Sequence, residues 1–374
     1  MPSGYTSAPT RIFDRYIARQ LLGVTVLGVM SLSALLLLGN LFKELRPLLV
    51  ESGAPFSIVM EFIFQVIPFS LMFSIPWGFL TAVLLVYGRL ASDNELTSMR
   101  MAGMSLWRLS APAIAIGIAL SGLCYWINID LAPRAKQAIS ELLIKAASIN
   151  PEGLLREGQA ITKFDDQEIY IDKHIPEEKL IYGMHIYQKA SDKSPAVALH
   201  AERVTYHFSP EKKIFELHLF NTLVTTQEKN GISRSVVVDE MPRSISTDRH
   251  SGRRIKANRF TNEEIREALN TPGYLNENQT REFATELPRR ASFSLACIVF
   301  ALIGVPLAIN TRRKDTSTGF AMGILIASLY FVALIFADLS RKSGTVLPYI
   351  LLWLPNVITI AVALYLHNKA RHKG

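Results

Sequence analysis

YGRLASDNELTSMRMAGMSLWRL, residues 87–109, is a short polar segment wedged between two long apolar ones. Ser92 and Glu95 have the S-x-x-E spacing of a capping box, in which each side chain satisfies an orphan backbone donor of the first helical turn. Gly103 stands where a helix would stop. The pattern predicts a helix over Ser92–Met101, and a helix of about nine residues is too short to stand alone in water. It has to pack on its own bundle or on a second protein. Glu95, Leu96, Met99 and Arg100 offer a carboxylate, a Leu/Met stripe and a cation, which a soluble partner could grip. The capping box alone also accounts for Glu95. Both readings hold together, because a cap fixes the helix that a partner reads.

On either side of this stretch the charge disappears. The chain has 374 residues, 49% of them hydrophobic, and a net charge of +8. Crossing a bilayer of about 30 Å of hydrocarbon takes about 20 apolar residues. Runs of that kind occupy Leu21–Phe42, Phe56–Val86, Leu109–Ile129, Ala291–Ile309, Thr318–Ala337 and Leu347–Leu366. The second run is longer than a straight span needs, and Pro68 and Pro76 within it invite kinks. The expected fold is a polytopic α-helical membrane protein, six transmembrane helices split three and three.

Between the two sets no membrane-length apolar run occurs. A helical linker over Arg134–Ser148 leads into short segments of β-branched and aromatic residues: Ala160–Phe164, Glu168–Asp172, Leu180–Gln188, Ala196–Phe208, Ile214–Gln227 and Ile232–Asp239. Turns are expected at Pro176–Glu178, Ser209–Glu211 and Lys229–Gly231. These predict an inserted all-β, jelly-roll-like domain. Residues 248–287 are polar and basic, with a second capping box at Thr261–Glu264, and read as a partly helical return to the membrane. The expected division is 1–20 as an N-terminal segment, 21–133 as the first three helices with the short helix at 92–101, 134–287 as the β domain with its linkers, 288–367 as the last three helices, and 368–374 as a tail.

Orientation follows from the short loops. Arg11, Arg15, Arg19, Arg89, Arg100, Arg108, Arg312, Arg313, Lys314, Lys369, Arg371 and Lys373 share one side, against Lys43, Arg46, Arg341 and Lys342 on the other. The positive-inside rule places both termini and the 92–101 helix in the cytoplasm, and the β domain outside it.

Several chemistries are not written in this sequence. It has no phosphate-binding G-x-x-x-x-G-K-[ST] loop, no H-E-x-x-H and no G-x-S-x-G. The eight histidines are scattered without metal-ligand spacing, and the Asp165–Asp166 pair reads as a solvated turn. Cys124 and Cys297 lie inside apolar runs and read as small buried hydrophobes. The span centres carry few ionisable groups, which argues against a proton- or sodium-driven carrier. Lys43, Arg46, Arg341 and Lys342 read either as snorkelling anchors or as a basic rim that meets the phosphates of an amphiphile.

Four features together resemble one family. They are DRYIARQLL at Asp14–Leu22, GRLASDNELTSMRMAGMS at Gly88–Ser105, ELPRRASFSLACIVFALIGVPLAI at Glu286–Ile309, and the layout of three spans, β domain, three spans. The whole chain is similar to LptF/LptG-type (YjgP/YjgQ) permeases of lipopolysaccharide export. The resemblance implies a non-catalytic subunit of an ABC-type exporter in the bacterial inner membrane, paired with a paralogous permease as a heterodimer. ATP and Mg would be bound by a cytoplasmic ATPase dimer, not by this chain. Lipopolysaccharide would leave the membrane and pass through the periplasmic β domain to a bridge protein, beside a single-span accessory subunit; nucleic acid has no part. The family's coupling helix maps onto Ser92–Met101, with Glu95 at its acidic contact position, and its head-group cations fall near Lys43, Arg46 and Lys342. The long tail before Arg11 and the basic stretch Arg249–Arg259 depart from the family pattern. Two other readings stand beside this one: a membrane scaffold for a periplasmic complex, and a permease for another lipid or lipoprotein.

Overall fold

The computed structural model describes residues 8–46, 56–149, 155, 157–158, 161–164, 167–188, 196–209, 214–227, 233–246, 256–310, 316–341 and 345–372. Lys342, Asp165–Asp166, most of the 249–259 basic stretch and the turns after Ser209 and at 229–231 lie outside the described residues. The chain divides into two units, one of residues Met1–Asn40, Ile63–Ile139 and Lys256–Gly374, the other of Leu41–Phe62 and Ser140–Ile255.

The first unit is helical. In chain order come α1 (Ala8–Arg46), α2 (Phe56–Ser92), α3 (Glu95–Met101), α4 (Leu106–Trp126) and α5 (Ala132–Ile149). After the β strands follow α6 (Asn262–Asn270), α7 (Glu277–Ser294), α8 (Ala296–Asn310), α9 (Thr316–Ser340) and α10 (Leu347–His372). The ends of α1 and α5 and the start of α2 fall within the second unit. Among the described residues six helical stretches are long and apolar enough to cross a membrane. Helix α2 runs unbroken through Pro68 and Pro76, so the prolines do not split it. The third span does not stop at Ile129. A π-turn at Ile127–Leu131 carries it into α5, making one stretch over Leu106–Leu142. The predicted helical linker is thus the continuation of that span.

Small residues and buried polar pairs hold the helices, as they do where lipid supplies no hydrophobic drive between them. A methyl placed on Gly117 of α4 would lie 3.0 Å from the Cys297 carbonyl oxygen, so the two backbones meet there. Cys124 and Cys297 are both buried and free, their sulfurs 4.0 Å apart. Asn128 donates to Ser294 Oγ at 2.9 Å. Ser292 donates to the Leu352 carbonyl at 2.5 Å, while Asn356 donates to Ser292 Oγ at 2.8 Å and meets the Tyr330 hydroxyl at 3.1 Å. One serine thereby ties α7, α9 and α10.

The second unit carries β1 (Ile161–Phe164), β2 (Gln167–Ile175), β3 (Leu180–Gln188), β4 (Ala196–Ser209), β5 (Ile214–Gln227) and β6 (Ser233–Ser246). They form one antiparallel sheet in sequential order. The all-β insert is as expected, and its jelly-roll-like interior arises from a crease. Across β2–β6 the ladder omits one rank: Ile171↔Met184 and Lys173↔Tyr182 pair, as do Ala201↔Thr222 and Arg203↔Phe220, and Thr222↔Val238 and Phe220↔Glu240. The residues between them are Asp172, Gly183, Glu202, Asn221 and Asp239. Gly183 (φ 63) and Asn221 (φ 50) take the left-handed conformation there. Side chains normally alternate faces with period two. Here Ile181 and Met184, Ala201 and Val204, and Leu219 and Thr222 are buried although each pair is three apart. Strands β2–β6 change phase at the same rank. The sheet therefore folds into two leaves whose inner faces merge in one core with Ile169, Ile186, Leu199, Phe215 and Leu217.

Candidate functional site

The short helix α3 spans Glu95–Met101, and its start corrects the predicted capping box. Ser92 is the last residue of α2, where no breaker interrupts the helix. The turn is made by Asp93 and Asn94. Asn94 has φ 59 and ψ 10, precedes the helix without a side-chain cap, and is a residue type that tolerates this conformation. The stop is as expected. Gly103 (φ 87) donates to the Arg100 carbonyl at 2.9 Å and Met104 to the Met99 carbonyl at 3.1 Å, the paired bonds of a Schellman motif. Ser105 then caps α4 by accepting from the Arg108 N–H.

Burial sorts the four candidate contact residues. Leu96 is 1% exposed and belongs to the main core with Phe13, Ile17, Leu90 and Leu106, and Met99 packs against that core. Glu95 and Arg100 are half-buried at the margins. The open face is made by Asp93, Asn94, Thr97, Ser98 and Met101, the last 79% exposed. Leu96 and Met99 seat the helix, and this other face is what a soluble partner would meet. The Tyr87 hydroxyl donates to the buried Leu109 carbonyl at 2.7 Å, tying the end of α2 to the start of α4 around α3. Arg108 makes a bidentate pair with Asp14 of α1, at 2.9 and 2.6 Å.

Of the four candidate head-group cations, Arg341 is the one whose side chain is described. Lys43 and Arg46 lie on the last turns of α1, where the backbone alone is described. Arg341 follows α9 with its side chain 11% exposed, and pairs with Glu286 Oε2 and Asp338 Oδ1, each at 3.0 Å. Glu286, 1% exposed, is the centre of a network that the sequence reading missed. It accepts from Arg289 (3.1 and 3.0 Å), from Arg290 (3.3 Å) and from Arg341. Arg290 also donates to Asn262 Oδ1 and to the Ala257 and Phe260 carbonyls, holding the segment before α6. The signal was present in ELPRR: Arg289 and Arg290 stand three and four residues after Glu286, the spacing at which helical side chains meet. Thr261–Glu264 forms the second predicted capping box with both arms in place.

Histidines of the β strands meet one another and nearby side chains. His185 and His200 meet across β3 and β4 at 3.1 Å, with Asp172 at 3.5 Å from His185. Among the described residues no group of three or more His, Cys, Asp or Glu converges as a metal site.

An uncharacterized protein, RP871, of Rickettsia prowazekii (strain Madrid E) is 22% identical over 337 residues, covering 87% of this chain and 91% of that protein. The family model for the lipopolysaccharide export system permease LptF/LptG matches residues 15–369. Six membrane-length helices, an inserted β domain and this match over nearly the whole chain place the protein in the LptF/LptG family of multi-pass inner-membrane permeases for lipopolysaccharide export.

Proposed function

We propose that the chain is one permease subunit of an ABC-type exporter and that α3 is its coupling helix. The observation that carries the reading is the seating of α3: its apolar side is built into the core through Leu96 while Asp93, Thr97, Ser98 and Met101 stay open. A cytoplasmic ATPase dimer, holding ATP and Mg, would dock on that open face with Glu95 at its margin. Both termini then lie in the cytoplasm and the β domain in the periplasm, in keeping with the twelve-to-four distribution of short-loop cations. With a paralogous permease the helices would enclose a lipopolysaccharide molecule. Lys43, Arg46 and Lys342 are the cations on hand for its phosphates, while Arg341 is drawn toward Glu286. The acyl chains would pass between the leaves of the creased sheet, toward a bridge protein and a single-span accessory subunit.

The test is co-purification with the ATPase after substitution on α3. Thr97→Arg and Met101→Glu, both on the open face, should abolish ATPase association and export while the protein still accumulates in the membrane. Normal association and export with both variants would remove α3 from the coupling role. Association without any export of lipopolysaccharide would point to a permease for another lipid or lipoprotein, and no association at all in the native protein to a scaffold.

A further inference from the structure

Helix α1 is held very unevenly along its length. Its first turns are buried, with Phe13, Ile17 and Leu21 in the core, whereas Val26, Leu27, Met30, Leu35 and Leu38 are all more than half exposed. Between these regions Gly28 brings it close to α2. A methyl on Gly28 would lie 3.3 Å from the Gly78 Cα, and one on Gly78 only 2.9 Å from the Val29 amide nitrogen. Ser33 and Ser74 hydrogen-bond at 2.6 Å just beyond. At its foot Asp14 grips Arg108, which stands seven residues past the end of α3 in the first turn of α4. A bidentate guanidinium–carboxylate pair fixes direction as well as distance, unlike a single-point contact.

From this juxtaposition we infer that Asp14 and Arg108 are the positioning pair through which displacement of α3 reaches α1, and that the Gly28–Gly78 contact is the fulcrum on which α1 turns. The inference rests on α3 being the coupling helix. At 1.5 Å per residue, the arm from Asp14 to Gly28 is about 21 Å and that from Gly28 to Asn40 about 18 Å. The arms are comparable. A shift of the foot carries the 35–40 turn a similar distance the opposite way, so a cytoplasmic push becomes a movement of the exposed upper part of α1.

Asp14 and Arg108 are off the open face of α3, so their loss should leave ATPase docking intact and break the transmission. The experiment uses the assembled complex in lipopolysaccharide-loaded proteoliposomes and reads lipid extracted per ATP hydrolysed. Asp14→Asn and Arg108→Gln should each lower that ratio about tenfold, with complex yield and ATP hydrolysis within about twofold of native. The exchanged pair, Asp14→Arg with Arg108→Asp, should recover most of the ratio. An unchanged ratio in the single variants overturns the inference. So does a complex that fails to assemble in both the single and the exchanged variants, which would make the pair a folding contact only. Loss of ATPase binding by Thr97→Arg in the same preparation tests the coupling-helix reading separately. If that variant binds normally, the reading of α3 fails and the inference falls with it, whatever the ratio in the Asp14 variant.

Discussion

Replacing Glu286 with Gln removes one negative charge from a place where three guanidinium groups converge. The Glu286 side chain is 1% exposed, and its partners Arg290, Arg341 and Arg289 are 4%, 11% and 22% exposed. An exposed ion pair contributes about 0–1 kcal/mol, because water competes for both charges. Removing one partner of a buried pair costs about 3–5 kcal/mol, since the remaining charge stays desolvated and unpaired. Asp338 can still answer Arg341 at 3.0 Å, and Asn262 with two carbonyls still holds Arg290. Arg289 keeps only the longer-range attraction of Asp338, so the lower half of that range, about 3 kcal/mol, is expected. At about 2–4 °C per kcal/mol for a domain of this order, the detergent-solubilised protein should melt about 6–12 °C lower. Arg89→Ala, which removes an exposed pair with Asp93 at 3.8 Å, is the control and should shift the melting point little. Melting by intrinsic fluorescence or by loss of the monodisperse chromatographic peak reads both. If Glu286→Gln melts within a degree or so of native, the network is not desolvated as described and the reasoning is wrong.

Leu96→Ala should cost about 2–5 kcal/mol of local packing and loosen α3 from its seat without altering its open face. The expected result is faster hydrogen exchange over residues 93–104 and weaker coupling, with ATPase association retained. Gly183→Ala puts a methyl into the Asp172 carboxylate at a φ of 63, so the β domain should lose about 1–3 kcal/mol and become sensitive to protease at the crease. Asn221→Gly, at the equivalent position of β5, should be neutral or stabilising by the same assay. Gly78→Ala should push α1 from α2 at a cost of about 1–3 kcal/mol, and cysteine pairs placed across the two helices near Ser33 and Ser74 should crosslink more slowly.

The parts of this fold that depend on local pattern were legible in the sequence. Runs of apolar residues located all six membrane-length helices, and β-branched segments located six strands, because burial in lipid and pairing in a sheet each impose a period on the chain. The strand ending at Asp239 in the sequence reading continues to Ser246, since Pro242 sits on an edge strand where its missing N–H costs nothing. What pattern could not supply were relations between distant residues. The S-x-x-E match at Ser92 was outweighed by the helix already running through it, and the αL turn at Asn94 left no room for a cap. The crease is a collective feature: one phase change in β3 looks like noise, and only the alignment of five of them shows a fold line. The Asp14–Arg108 pair joins positions 94 apart, and Arg341 reaches Glu286 across 55 residues. No spacing rule finds such pairs. They also explain why Arg341 is turned inward: a buried carboxylate has claimed it.

The most direct test of the account is lipid movement into the β domain. A photoreactive side chain at Phe208, which packs at the border of the creased core, would be activated in the reconstituted complex with lipopolysaccharide, with and without ATP. The account predicts a lipopolysaccharide adduct that accumulates only when ATP is hydrolysed and disappears with Met101→Glu on the open face of α3. An adduct of equal strength without ATP, or none in a complex that hydrolyses ATP normally, would contradict it.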